Sequence, residues 1–259
     1  MNHFFHGYAV LCGLFMVGGI VLFADDNLIK NGALEIGVGG VPENWGQVDG
    51  LVTRWVSRKD GPGKCLQMDT SVLQGEKKAY QKDPRNFQRG ELKGGQYSTV
   101  GAHEGAWAYA SPVDIKNNDR YFILSADVCS EKGGEPKILI RGFRKITATT
   151  AGQNSSWFYQ AHKGGPFYSE QFGSEDQRRK SQAGDYLMVY RHTLHCRFDK
   201  VGVWQHFELG VKLPSIASAY PDRLLFKPYA YWPNGVYQFD NISFRKATKE
   251  AVEKLRSRK

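Results

Sequence analysis

Cysteine is scarce in this chain, and what there is carries no metal pattern. The 259 residues include four cysteines, and no two stand in a CxxC spacing, which excludes zinc-ribbon and thioredoxin-like motifs. A phosphate-cradling glycine loop, a dinucleotide fingerprint and a nucleophile elbow are also missing. No internal repeat is visible. Methionine is limited to four residues, while glycine reaches 29 and aromatics make up 13% of the chain. That texture belongs to a turn-rich β protein, not a helical bundle. No apolar run reaches the ~20 residues that a membrane-spanning helix needs.

The longest such run, Tyr8 to Phe23, covers 16 residues and closes on Ala24 before Asp25 and Asp26. Residues 1–24 therefore read as an export signal peptide, with cleavage after Ala24. Two features favour an uncleaved anchor instead: Met1–Gly7 lacks Lys and Arg, and Leu22 occupies a position where a small residue is usual. The expected layout is a leader over 1–24, a single domain over 25–245 and a basic tail over 246–259. The expected location is periplasmic, cell-envelope or extracellular, with no transmembrane segment after cleavage.

Export permits disulfides, but Cys65, Cys129 and Cys196 allow at most one bridge. Three small buried hydrophobes are the equal alternative. His192 and His195 sit three apart in a β-branched, aromatic stretch. On a strand they point to opposite faces, so they cannot share a metal.

Charge also argues by its placement. Of the net +9, +5 lies in residues 245–259, which hold seven basic and two acidic side chains. A nucleic-acid-binding domain places such charge on a folded face, and this reading puts it on a tail.

Short apolar runs punctuated by Gly, Pro, Asn and Asp predict antiparallel strands. They fall at Leu51–Ser57, Lys64–Thr70, Ala106–Tyr109, Arg120–Cys129, Pro136–Phe143, Tyr186–Phe198, Trp204–Lys212, Arg223–Tyr231 and Gly235–Phe244. Ala247–Leu255 alone looks helical, as a frayed and charged end. Two long polar segments, Gln74–Gln96 and Thr149–Asp185, break the rhythm and read as loop insertions.

At both ends the residues become specific. Asn27-Leu-Ile-Lys-Asn31-Gly-Ala-Leu-Glu35, followed by Pro42-Glu-Asn-Trp45, resembles the opening of carbohydrate-binding modules of the cellulose- and xylan-binding type. Arg223-Leu-Leu-Phe-Lys-Pro-Tyr-Ala-Tyr-Trp232 and Tyr237-Gln-Phe-Asp-Asn-Ile-Ser-Phe244 are similar to that family's closing strands. Gly63-Lys-Cys-Leu66, Tyr121–Asp127 and Val203-Trp-Gln-His-Phe207 keep its rhythm between them. The resemblance spans about 27–245, without the insertions. It implies an all-β jelly-roll sandwich of the galactose-binding type, two antiparallel sheets with the chain ends side by side.

The resemblance also implies a structural calcium between the first and last strands. Its ligand positions fall on the Ala33 carbonyl and the carboxylates of Glu35 and Asp240, with a carbonyl near Lys64 and the Asp60 carboxylate completing an oxygen shell. For glycan binding, flat rings and polar donors are needed. Trp107 and Tyr109 share one strand face, as do Tyr229 and Tyr231, with Arg141 and Arg191 as donors. The expected function is non-catalytic binding of a polysaccharide, beside a partner enzyme or on an envelope surface.

Two other classes compete. A polysaccharide lyase on the same scaffold would use Arg89-Gly-Glu91, Gln160-Ala-His162 and a late tyrosine, Tyr229, Tyr231 or Tyr237, for β-elimination on a uronate polymer. A structural envelope or interaction protein would use the sandwich only for packing.

Overall fold

In a computed structural model, the described residues are 26–90, 98–116, 119–149 and 186–258, plus the backbone of four strands between 150 and 185. Residues 1–25, which include the expected leader, and Glu91 and His162 lie outside them. Along the chain come β1 (Gly37–Val38), β2 (Val41–Pro42), β3 (Trp45–Gly46), β4 (Thr53–Ser57) and β5 (Lys64–Asp69). Helices α1 (Gln74–Lys82) and α2 (Val100–His103) follow, then β6 (Ala106–Trp107), β7 (Tyr109–Ala110), β8 (Val113–Asp114), β9 (Tyr121–Ser130) and β10 (Lys137–Lys145). Strands β11 (Asn154–Ser155), β12 (Trp157–Ala161), β13 (Tyr168–Phe172) and β14 (Arg179–Lys180) lead to β15 (Tyr186–His195) and β16 (Gln205–Lys212). The chain closes with β17 (Arg223–Ala230), β18 (Val236–Lys246) and α3 (Lys249–Arg256).

Two antiparallel sheets form the sandwich. One has the order β16-β9-β18-β5-β4, and the other β13-β12-β15-β10-β17-β6, with β8 also on β17. The chain ends lie side by side, as the resemblance implies. Leu28 N–H donates to the Phe244 carbonyl at 2.8 Å, and Ile242 N–H donates to the Gly32 carbonyl at 2.8 Å.

Alternation along the strands builds the core. On β10, Ile138 and Ile140 are fully buried, while Lys137, Leu139 and Arg141 alternate with them on the other face. Phe226 of the larger sheet meets Phe244 of the smaller at 4.7 Å, and Phe244 stacks on Phe122 at 4.6 Å. Each such ring contributes about 1.5–3 kcal/mol by leaving water.

The segments expected as loops hold regular structure. In the first, α1 forms because the buried Glu76 accepts from the Leu73 N–H at 3.1 Å and from the Gly90 N–H at 2.7 Å. One side chain thereby starts the helix and anchors the loop that follows it. In the second, β12 and β13 pair and extend the larger sheet through β15. The C-terminal segment is not frayed. Thr248 caps α3 by accepting from the Ala251 N–H at 3.2 Å, and the fully buried Val252 docks with Leu255 on Gly210 of β16. No bridge forms among the described cysteines: Cys65, Cys129 and Cys196 are buried free thiols.

Candidate glycan-binding face

The outer face of the larger sheet carries most of the expected binding residues. On β17, Leu224, Phe226 and Ala230 face the core, so Leu225, Lys227 and Tyr229 face outward. Register then lines up three rows across the sheet. Tyr229 stands between Trp107 of β6 and Lys137 of β10, and Lys137 opposes His195 of β15. Lys227 opposes Leu139, which opposes Thr193. Leu225 opposes Arg141, which opposes Arg191. Thus Trp107, Tyr109, Tyr229, Arg141 and Arg191 come to one face, with Tyr231 beside Tyr229 just past the end of β17.

This face has a floor of its own. Tyr109, Phe143 and Leu225 form a buried cluster apart from the main core, with Trp107, Tyr186 and Met188 packed around it. Tyr109 is only 6% exposed, so its ring supports the face and cannot stack on a ligand. The exposed rings are Tyr231, at 44%, and Trp232, at 39%. Tyr231 lies nearly parallel to Tyr229, 6.3 Å between centroids and 11° apart. Burial pushes the Tyr229 phenol up, with Tyr231 adding to the shift, so the Tyr229 hydroxyl keeps its proton at neutral pH. Tyr231 donates to the Ala102 carbonyl at 3.2 Å, which fixes its ring.

Trp107 is more enclosed than the sequence suggests. The ammonium of Lys227 sits 4.7 Å from its ring centre, and that of Lys77 sits 5.1 Å away. Lys227 is also within 5.2 Å of the Tyr109 ring and 5.9 Å of the Tyr229 ring. Trp107 also lines a recess of about 200 Å³ with Gln47, Asp49, Thr53 and Lys77. Its indole N–H is buried there without an acceptor among the described residues. Beside it, Lys77 pairs with Glu104, which also accepts from Gln74 at 2.8 Å. Burial works against the Glu104 charge, but these two bonds outweigh it and hold the carboxyl below its usual range. Lys77, Lys227 and Trp232 join the face without a signal in the sequence: Lys77 lies in the segment expected as a loop, and Trp232 lies past the end of β17.

Two of the three carboxylates that the resemblance assigns to calcium already have a cation. Arg58 donates to the Asp240 carboxylate at 2.8 Å and reaches Asp60 through two bonds of 3.3 Å, its guanidinium lying 4.1 Å over the Trp204 ring. Asp240 is buried and also accepts from the Asn241 N–H at 2.7 Å. Glu35 accepts from the Lys64 N–H at 3.2 Å, and Ala33 sits in the turn closed by the Leu34 N–H on the Asn31 carbonyl. Among the described residues, no three His, Cys, Asp or Glu side chains converge on one point. Glu35, Asp60 and Asp240 therefore do not fit a calcium shell as arranged, because a guanidinium stands between two of them.

Of the residues that the lyase reading names, Arg89 and the late tyrosines have described side chains. Arg89 pairs with Asp69 at 2.8 Å, and Tyr237 is buried with its hydroxyl on the Pro233 carbonyl. The side chains of Gln160 and His162 lie outside the described residues.

No family model matches the chain, and no curated protein matches it. Among solved structures, it is similar to a family 16 carbohydrate-binding module, at 15% identity over 85% of this chain and all of that one, with a TM-score of 0.42. It is also similar to a family 61 module in complex with β-1,4-galactotriose, at 10% identity over 85% of this chain and 99% of that one, TM-score 0.39. An α-L-arabinofuranosidase with bound arabinose matches at 8% identity over 86% of this chain and 27% of that one, TM-score 0.43. The matching structures are mostly carbohydrate-binding modules. Among the described residues no helix is long and apolar enough to cross a membrane.

Proposed function

We propose that this is an exported, non-catalytic carbohydrate-binding protein whose site is the outer face of the larger sheet, at the Trp107–Tyr231 edge. One observation carries the reading. Exposed and half-buried rings stand beside cationic donors on one sheet face, above an apolar floor that is separate from the main core. A pyranose needs that combination: a flat apolar surface for its ring face and partners to repay the desolvation of its hydroxyls. The protein would act beside a partner enzyme or at an envelope surface.

The test is a glycan array on the mature chain, followed by calorimetry and thermal melts on variants. Tyr231→Ala should weaken the best glycan by about 1–2 kcal/mol, the value of part of an aromatic surface, and leave the melting temperature almost unchanged. Tyr109→Ala should do the reverse and cost about 3 kcal/mol or more of stability, as a buried ring does. Equal stability losses in both, with unchanged affinity in Tyr231→Ala, would mean that the face is merely core.

A further inference from the structure

Beside the aromatic edge the surface folds inward. The recess next to Trp107 holds about 200 Å³, the room of about seven waters at about 30 Å³ each. Sites that enclose a whole drug-sized ligand run to about 300–1,000 Å³, so this one takes a single pyranose ring and no more. Its floor is apolar, because Val52 and Ala106 are almost wholly buried. Three segments wall it. Gln47, Asp49 and Thr53 come from the stretch that leads into β4, and Lys77 and Gln81 lie one turn apart on α1. Gly105 and Trp107 come from β6 and the turn before it.

The polar groups of the recess suit hydroxyls. Asp49 accepts from the Leu51, Val52 and Thr53 N–H groups at 2.9, 2.8 and 2.8 Å, always through Oδ1. Those bonds fix the carboxylate and leave Oδ2 without a partner among the described residues. Gln47 and Gln81 are exposed, and their amides also have no partner among the described residues. Lys77 is paired with Glu104, so it brings donors without net charge. A sugar hydroxyl both donates and accepts, and a carboxylate oxygen, two amides and an ammonium can answer both needs. Gln47 also holds φ +59, a left-handed backbone uncommon for a long side chain.

We propose that this recess holds the terminal sugar of a glycan, so that the protein binds chain ends or branch tips, with the next units on the Tyr229–Tyr231 edge. This rests on the carbohydrate-binding reading and deepens it. Recess and face are continuous. Trp107 belongs to both, and Gly105 is so close to Tyr229 that a Cβ there would fall 2.7 Å from the ring. A terminal unit has neighbours on one side only, so it can enter a pocket of one-ring size while the rest of the chain stays outside. It also keeps a hydroxyl that an internal unit has lost to a linkage. That hydroxyl gives the recess groups a partner, whereas a ligand without it leaves them desolvated and unpaired.

The experiment counts proteins per chain. Linear xylan, mannan, galactan and β-glucan are each prepared as a short and a long fraction and titrated by calorimetry. At least one should bind, with one protein per chain at both lengths. Borohydride reduction of its reducing end then tells the ends apart. Lost binding puts the reducing end in the recess, and unchanged binding puts the non-reducing end there. Asp49→Asn, which removes the Oδ2 acceptor, should weaken binding about tenfold, the value of a hydrogen bond to a charged group. Gln47→Ala and Gln81→Ala should each weaken it several-fold with unchanged melting temperatures, and they decide the case if Asp49→Asn unfolds. Proteins per chain that rise in proportion to length would show the chain passing across the face. That result, or full affinity in both glutamine variants, would overturn the inference and leave the carbohydrate-binding reading standing. A folded protein that binds none of the polymers would sink both.

Discussion

Removing Arg58 is the sharpest test of what holds the chain ends against the smaller sheet. Arg58 joins a loop to the last strand through Asp240, whose side chain is only 4% exposed. Its second partner, Asp60, is 50% exposed, and solvent screens a pair of that kind. The loss therefore comes almost wholly from Asp240. Burial already pushes that carboxyl up, and the bonds from Arg58 and the Asn241 amide only partly offset it. Breaking a buried pair from one side costs about 3–5 kcal/mol. Since Arg58 is itself 19% exposed, about 2–4 kcal/mol is the better figure for Arg58→Met, which keeps an apolar stem over Trp204. For a chain of this size that lowers the melting temperature by roughly 5–15 °C.

The pH dependence follows from the direction of the Asp240 shift. A carboxyl raised in the native state holds its proton more tightly there than in the unfolded chain. Loss of Arg58 raises it further, so the variant's deficit is full at neutral pH and shrinks as pH falls through the raised native value. Asp240→Asn in the Arg58→Met background should recover part of the loss, because the neutral amide no longer needs a cation. Melts of the three proteins, taken from neutral pH downward with and without EDTA, measure all of this. Two results would refute the reasoning: an Arg58→Met protein as stable as wild type at neutral pH, or a wild-type melting temperature that EDTA lowers. The second would put calcium where the guanidinium stands.

Other consequences are simpler to check. Burial pushes the Cys65 thiol up to about 12 and raises Cys129 and Cys196 as well. All three should resist iodoacetamide in the native protein at pH 8 and label fully in denaturant, as peptide mapping would show. Gly105 has φ +69, and a Cβ there would fall 2.7 Å from the Tyr229 ring. Gly105→Ala should therefore displace Tyr229 and lower glycan affinity about as much as a ring deletion does, together with a measurable loss of stability.

The sandwich was legible because its signals are local. Alternation in Pro136–Phe143 and Arg223–Tyr231 told which residues face the core, and the outward set followed from the same parity. The N-terminal motif was legible for a different reason: it is a folding device. Asn31 adopts φ 51, its amide donates to the Ile36 and Glu43 carbonyls at 2.7 and 2.8 Å, and its carbonyl accepts from the Trp45 indole at 3.0 Å. What escaped the sequence depends on pairing across distance. Helix α1 begins at Leu73 without a polar cap of its own, and only the fold brings Gly90 to Glu76. Nothing near Asp240 in sequence marks Arg58 as its partner, since 182 residues separate them. The burial of Tyr109 likewise depends on Phe143 and Leu225, which come from two other strands.

Charge shows the same division most plainly. Counted along the chain, the excess of cations falls on the C-terminal segment, and the body looks nearly neutral. Counted by sheet, strands distant in sequence become neighbours in space: the acids of β5, β9, β16 and β18 lie on the smaller sheet, while the larger has Glu170 of β13 and Asp114 of β8, which pairs with Arg223 at 2.7 Å. Lys227 lies over three rings, where the π-faces attract its ammonium. The rings therefore have two tasks on this face, steadying a cation and offering an apolar surface. Tyr231, outside the reach of Lys227 and the more exposed of the paired tyrosines, is left for the second.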